Sequence, residues 1–207
     1  MKRGLLVGSI VVAAGTAACG GARVQIPPRV DLVPYGSVAL VTFTVEDTRG
    51  SLGELATERF AAELFEGQYG IEVLELDDIT RLLDATGEDR PGVHTARMIG
   101  DEYGVPAVFF GHLTVSDITP SAGIVDLRFP SLEATVSVEG TVRLLSTESG
   151  GTVWSANGKV TEKVGEVGMV DGKPYFAAEN PQEAYGRLVD VLIYDLTQDL
   201  RPTWERR

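Results

Sequence analysis

The stretch LEATVSVEGTVRLLSTESGGTVWSANGKVTEKV, Leu132 to Val164, sets the fold class. Leu132, Ala134, Val136, Val138, Gly140, Val142 and Leu144 alternate with Glu133, Thr135, Ser137, Glu139, Thr141 and Arg143. A side-chain period of two belongs to a strand with one face buried and one wet. Glu148-Ser149-Gly150-Gly151 is a turn. Beyond it Trp154, Ala156 and Val160 face one way and Ser155, Asn157, Lys159 and Thr161 the other, so Val153 to Val164 returns as the second arm of an antiparallel hairpin. Trp154 falls on the apolar side, where a tryptophan packs beneath a helix.

Working upstream, the pattern changes to strands separated by helices. Ser37 to Val45 (SVALVTFTV) is rich in β-branched and aromatic residues and predicts one buried strand. Ser51 and Glu54 have capping-box spacing, ahead of a helix to Gly67 whose apolar face is Leu52, Leu55, Ala56, Phe60, Ala61 and Leu64. Ile71 to Leu76 predicts a short strand, and Asp77 and Asp78 are caps for a helix with Ile79, Leu82 and Leu83, closed by Gly87. After the Pro91–Gly92 turn, Ala96, Ile99 and Tyr103 space a helix that Gly104 ends, and Val105 to Val115 is strand with Gly111 as a bulge.

Downstream, Asn180 caps a helix with Pro181 at its first position and Glu183 at its third. Its face of Tyr185, Leu188, Val189, Leu192, Leu196 and Leu200 continues until Pro202. The order β-α-β-α-α-β-β-β-α fits one α/β domain at 37–207, with a mixed sheet in two or three layers and no repeat.

The amino-terminal segment has a different character. Lys2 and Arg3 precede an apolar run from Leu5 to Ala18, the layout of a signal peptide over residues 1–18. That run is shorter than the roughly 20 residues a membrane-spanning helix needs. The sole cysteine, Cys19, follows Ala17 and Ala18 and is the expected lipidation site; Thr16 stands where a lipoprotein signal usually has Leu. A lone cysteine forms no internal disulfide, so the exported domain relies on its core. Several acyl chains such as palmitate on one cysteine make a lasting anchor. Residues 19–36 carry Gly20, Gly21, Pro27, Pro28 and Pro34, a composition that predicts a flexible linker.

Composition narrows function by exclusion. With 30 acidic side chains against 18 basic ones and a net charge of −12, the surface field repels a phosphate backbone, and no basic stripe offsets it. A nucleic-acid partner is not expected. His94 and His112 are the only histidines, too few for a zinc cluster once Cys19 carries lipid, so no metal and no cofactor is expected. His112 beside Gly111 is a structural histidine in this reading, and Asp77 with Asp78 a pair of caps rather than a catalytic couple. Neither a G-x-S-x-G elbow nor a phosphate-binding loop occurs, and no enzymatic activity is expected.

VALVTF at Val38–Phe43, LGELATERFAAEL at Leu52–Leu64, IEVLEL followed by DDITRLLDATG, GVPAVFFGHL at Gly104–Leu113, and VEGTVRLLSTESGGTVWSANGKV together resemble the curli-secretion lipoprotein family, CsgG, and its relatives LpoB and the amino-terminal, anticodon-binding-like domain of TolB. The likeness spans most of residues 37–200 and rests on packing and turn positions. It implies a lipoprotein on the periplasmic face of the outer membrane that works on other envelope proteins or on copies of itself. The family's channels insert two hairpins per subunit into the membrane; the corresponding segments here, Asp117–Pro130 and Val164–Ala178, are short against the 9–11 residues a membrane strand requires. The second of these is expected to turn at Asp171–Gly172. Asp77 stands where many relatives have Glu-Arg, so no role of that pair is carried over.

The expected function is therefore protein–protein binding in envelope assembly, secretion support or control of wall synthesis, with a subunit of an oligomeric outer-membrane secretion channel as the alternative. Arg128 and Phe129, in the first short segment, and Trp204, beyond Pro202, are the candidate partner-binding residues, because exposed aromatic and arginine side chains dominate interfaces.

Overall fold

The computed structural model describes residues 23–46, 51–116, 119–123, 131–170, 173–178 and 181–206. In chain order it contains β1 (Arg23–Ile26), β2 (Ser37–Val41), β3 (Thr44–Glu46), α1 (Leu52–Gly67), β4 (Glu72–Leu76), α2 (Thr80–Thr86) and α3 (Val93–Tyr103). Then follow β5 (Ala107–Val115), β6 (Thr119–Gly123), β7 (Ser131–Ser146), β8 (Thr152–Val170), β9 (Lys173–Ala178), α4 (Pro181–Leu196) and β10 (Thr203–Arg206). The main sheet runs β4-β2-β5-β7-β8-β9, with β3 also on β5 and β6 also on β7; β1 and β10 form a separate two-stranded ribbon.

Connection length explains the sheet's mixed character. β2, β4 and β5 are parallel, and parallel neighbours need crossovers, which α1 supplies between β3 and β4 and α2 with α3 between β4 and β5. From β5 onward every pairing is antiparallel. The β7–β8 hairpin has the alternation expected of it, with Leu144 opposite Trp154 and Val138 opposite Val160.

Two cores lie on opposite faces of this sheet. On one, α1 and α4 cover Val38, Leu40, Phe109, Leu113, Val138, Val142 and Leu144. Phe60 of α1 is fully buried there, its ring 5.4 Å from that of Phe43 and 5.2 Å from that of Phe109. Trp154 continues the row, edge-on to Phe109 at 6.2 Å, and its Nε1–H donates to Asp199 Oδ2 at 3.4 Å. On the other face, α2 and α3 cover a smaller set, Ala39, Val41, Leu76, Val108, Phe110 and Leu145. The domain is thus three layers thick at the β4–β2–β5 end and two layers thick across β7 and β8.

Several expectations are corrected. The strand at 37–45 is two, because the Phe43 N–H leaves the ladder to bond Thr57 Oγ1 (2.9 Å), letting the Phe43 ring enter the core. Ser51 makes no side-chain capping bond, so the capping box does not form. Gly111 is not a bulge. It pairs in register with Val142, and its missing side chain makes room for Phe43, whose ring lies 2.3 Å from where a Cβ would stand. The last helix ends at Leu196, where the Thr197 hydroxyl donates to the Ile193 carbonyl, and a 3-10 turn then carries the buried Leu200. Asn180 lies outside the described residues.

The expected unpacked linker is the largest correction. From Arg23 the chain is β1, paired with β10, and Leu32 is fully buried. Gln68, itself buried at the end of α1, is the clasp: its Oε1 accepts from the Leu32 N–H at 3.0 Å and its Nε2 donates to the Val30 and Leu200 carbonyls at 2.8 Å each. Proline and glycine content signals an irregular backbone, and an irregular backbone still packs when a side chain satisfies its polar groups.

Candidate functional site

The wet face of the sheet becomes open where α2 and α3 stop. Strand register places polar side chains there in rows: Thr44, His112, Thr141 and Asn157 in one, Glu46, Thr114, Glu139 and Lys159 in the next. Residues opposite one another in paired strands share a face. Beside the first row, the α2–α3 connection brings in Arg90 and Pro91, closing a cleft of about 340 Å³ lined by Thr44, Arg90, Phe110, His112, Thr141 and Arg143.

His112 is central to the cleft and partly buried. Its Nδ1 is 2.8 Å from Thr44 Oγ1, and its Nε2 is 3.5 Å from Thr114 Oγ1 and 3.8 Å from Glu46 Oε2. Burial, then the charge of Arg90, holds its pKa below the ordinary value of 6.5. The ring is therefore neutral at pH 7, and the approach of Glu46 is not an ion pair. Glu46 is instead paired with Arg90. Arg143, opposite Phe110 in register, makes no ion pair among the described residues.

This arrangement offers a neutral imidazole, three threonine hydroxyls and two guanidinium groups at the rim of an uncovered sheet. Such a donor set suits hydrogen bonding to a carboxylate or hydroxyl group on a partner's surface. Among the described residues no three His, Cys, Asp or Glu side chains are placed to share a metal ion. A second groove, between α1 and α4, is lined by Arg59, Glu63, Asp190, Val191 and Tyr194, and Arg59 bridges it to Asp190 at 2.9 Å.

The caps foreseen in the sequence are partly present. Asp78 Oδ1 accepts from the Thr80 N–H at 2.8 Å, and this bond holds the carboxyl below its usual range. Glu88, which sequence reading passes over, caps α3. Its Oε2 accepts from the Thr95 hydroxyl (2.5 Å) and N–H (3.0 Å). Burial raises the Glu88 pKa, but these bonds, with that from the His94 N–H, outweigh it and leave it lowered.

Of the residues named from sequence, Cys19, Arg128 and Phe129 lie outside the described residues. Trp204 stands on β10, opposite Gln25 of β1 and 62% exposed. It belongs to the separate ribbon, so it is not gathered with His112. Thr44, Glu46, Arg90 and Arg143 escaped sequence reading, since only the strand register and the α2–α3 connection bring them together. No helix among the described residues is long and apolar enough to cross a membrane. The short second segment forms the hairpin its sequence suggests, Val170 opposite Lys173 and Gly165 opposite Ala178.

No protein-family model matches the chain, and no curated protein does. Solved structures do match. A neuraminyllactose-binding haemagglutinin homologue from Helicobacter pylori is similar over 85% of this chain and 88% of its own, at 10% identity and a TM-score of 0.50. The PelC dodecamer from Paraburkholderia phytofirmans is similar over 87% and 97%, at 18% identity and 0.47. The lipoprotein GNA1162 from Neisseria meningitidis is similar over 78% and 98%, at 19% identity and 0.42. At these identities the likeness concerns the fold, a mixed α/β sheet left open rather than closed into a barrel.

Proposed function

We propose that this chain is a lipid-anchored envelope protein of the CsgG- and LpoB-like kind, held on the periplasmic face of the outer membrane, that binds other envelope proteins and catalyses nothing. The observation that carries the proposal is the position of the sole cysteine: Cys19 closes an apolar leader and lies four residues before the first strand of the folded part. Among the described residues no strand pairs with the outer edge of β8 from Thr152 to Glu162, and this edge and the open polar face around His112 supply surface for a protein partner. Crosslinking the membrane-extracted protein in envelope extracts tests this. Capture of defined proteins that Arg143→Glu weakens is expected; the absence of any protein partner, or a bare Cys19 thiol in the mass of the processed chain, overturns it.

A second reading, a subunit of an oligomeric outer-membrane secretion channel, is favoured by one feature. Away from the helices, β6, β7, β8 and β9 lie side by side as a four-stranded meander. Its outer pairings span five and six residues, below the roughly 9–11 of a membrane strand. Monomeric behaviour in detergent with no conductance in planar bilayers is the expected outcome, and stable channels would favour this second reading.

A further inference from the structure

We propose that the β1–β10 ribbon is a bilayer-docking surface, set end-on into the phospholipid headgroups beside the Cys19 anchor. This rests on the reading that Cys19 is acylated. Three residues separate Cys19 from Arg23, and a chain extends no more than about 3.6 Å per residue, so β1 begins within about 14 Å of the anchor. The ribbon end nearest the anchor is the Arg23–Arg206 pair, and Arg207 follows in sequence.

Three features of the ribbon fit a lipid surface. All four residues of β1 are exposed, and Val24 (38%), Ile26 (37%) and Trp204 (62%) present apolar area to solvent. A two-stranded ribbon on its own is marginal in water and gains from cover. Register places Val24 and Ile26 on one face with Glu205 and Thr203, and Trp204 on the other with Gln25, so both faces carry apolar groups. A sheet covered by a protein would need only one such face, whereas a ribbon dipping end-on into headgroups immerses both.

Charge points the same way. The chain carries −12 overall, yet the anchor-proximal register positions of the ribbon are Arg23 opposite Arg206, then Val24 opposite Glu205, and Arg207 is the next residue of the sequence. An acidic body is repelled by phospholipid phosphates while a basic, tryptophan-bearing tip is drawn to them, tryptophan preferring the headgroup level. The root of the ribbon is fixed to the domain by the Val30 N–H bond to the Asp199 carbonyl (3.0 Å) and by the Arg29–Asp199 ion pair (3.1 Å). Docking would therefore fix which way the domain stands on the membrane.

The test uses tryptophan emission, because the chain has two tryptophans and Trp154 is buried in the core. Protein extracted from its membranes is reconstituted into vesicles of phosphatidylcholine and phosphatidylglycerol with brominated acyl chains. Roughly half of the emission is expected to be quenched, one tryptophan of the two. Trp204→Phe should abolish that quenching, and Arg23→Glu combined with Arg206→Glu should reduce it severalfold, the remaining Trp154 emission reporting an intact core. No quenching beyond that of Trp204→Phe overturns the proposal.

The intact mass of the same sample separates the two ideas. If it shows a bare thiol, the anchor reading fails, and coupling that single thiol to a maleimide-headgroup lipid tests the ribbon by itself. Quenching of Trp204 after coupling upholds docking; its absence overturns it.

Discussion

The two ends of the sheet differ in thickness. At β4, β2 and β5 helices lie on both faces, and Val41, Val108 and Phe110 are as buried on one side as Leu40 and Phe109 are on the other. Across β7 and β8 beyond Leu145 the cover comes from α4 on one face, and the opposite face is a lattice of threonine, glutamate, lysine and arginine. The closed end is where the chain gains stability, and the open end is where it can meet something else. Function is drawn from surfaces that folding leaves unsatisfied.

Breaking the closed end should cost most. Phe60→Ala removes a fully buried ring that touches Phe43 and Phe109, and a loss of about 3–5 kcal/mol in denaturant unfolding is expected. Gln68→Leu strands the Leu32 N–H and the Val30 and Leu200 carbonyls. A cost of about 2–3 kcal/mol is expected, together with faster proteolysis within residues 23–36. Gly111→Ala drives a methyl into the Phe43 ring for about 1–3 kcal/mol. A second change, Phe43→Leu, should recover part of that loss in a double-mutant cycle.

The open end should respond weakly and through charge. His112 has a lowered pKa in the folded state, so its contribution is present above the unfolded value of 6.5 and is lost as pH falls through the folded one. Unfolding midpoints should therefore decline on acidification below pH 6.5 in a way that His112→Gln flattens. Lys159→Ala breaks an exposed pair with Glu139 (2.5 Å) and should shift stability by less than about 1 kcal/mol. A large loss there would show that the lattice supports the fold and would undo the contrast between the two ends.

Legibility followed the range of the interaction. Alternation from Leu132 to Leu144 exposed the long strand, and Gly87 and Gly104, both left-handed at φ 68° and 70°, end α2 and α3 as their sequence positions suggest. The α1 face was legible in Ala56, Phe60, Ala61 and Leu64 because helical spacing is local. Gly111 was misread because a glycine in a strand pattern looks the same whether it bends the strand or admits a ring from the neighbouring β2–β3 junction. The 23–36 segment was misread because Gln68, which organises it, lies more than thirty residues along the chain.

By itself the sequence determined the periodic elements, the hairpin and the position of the single cysteine, since each depends on residues within a few steps of one another. Tertiary structure decided that α2 and α3 cover only one end of the sheet, that Thr44, Glu46, Arg90 and Arg143 meet around His112, and that the supposed linker becomes a ribbon. Those outcomes depend on which strands become neighbours, and that is fixed by satisfying the buried surface and backbone of the whole chain at once.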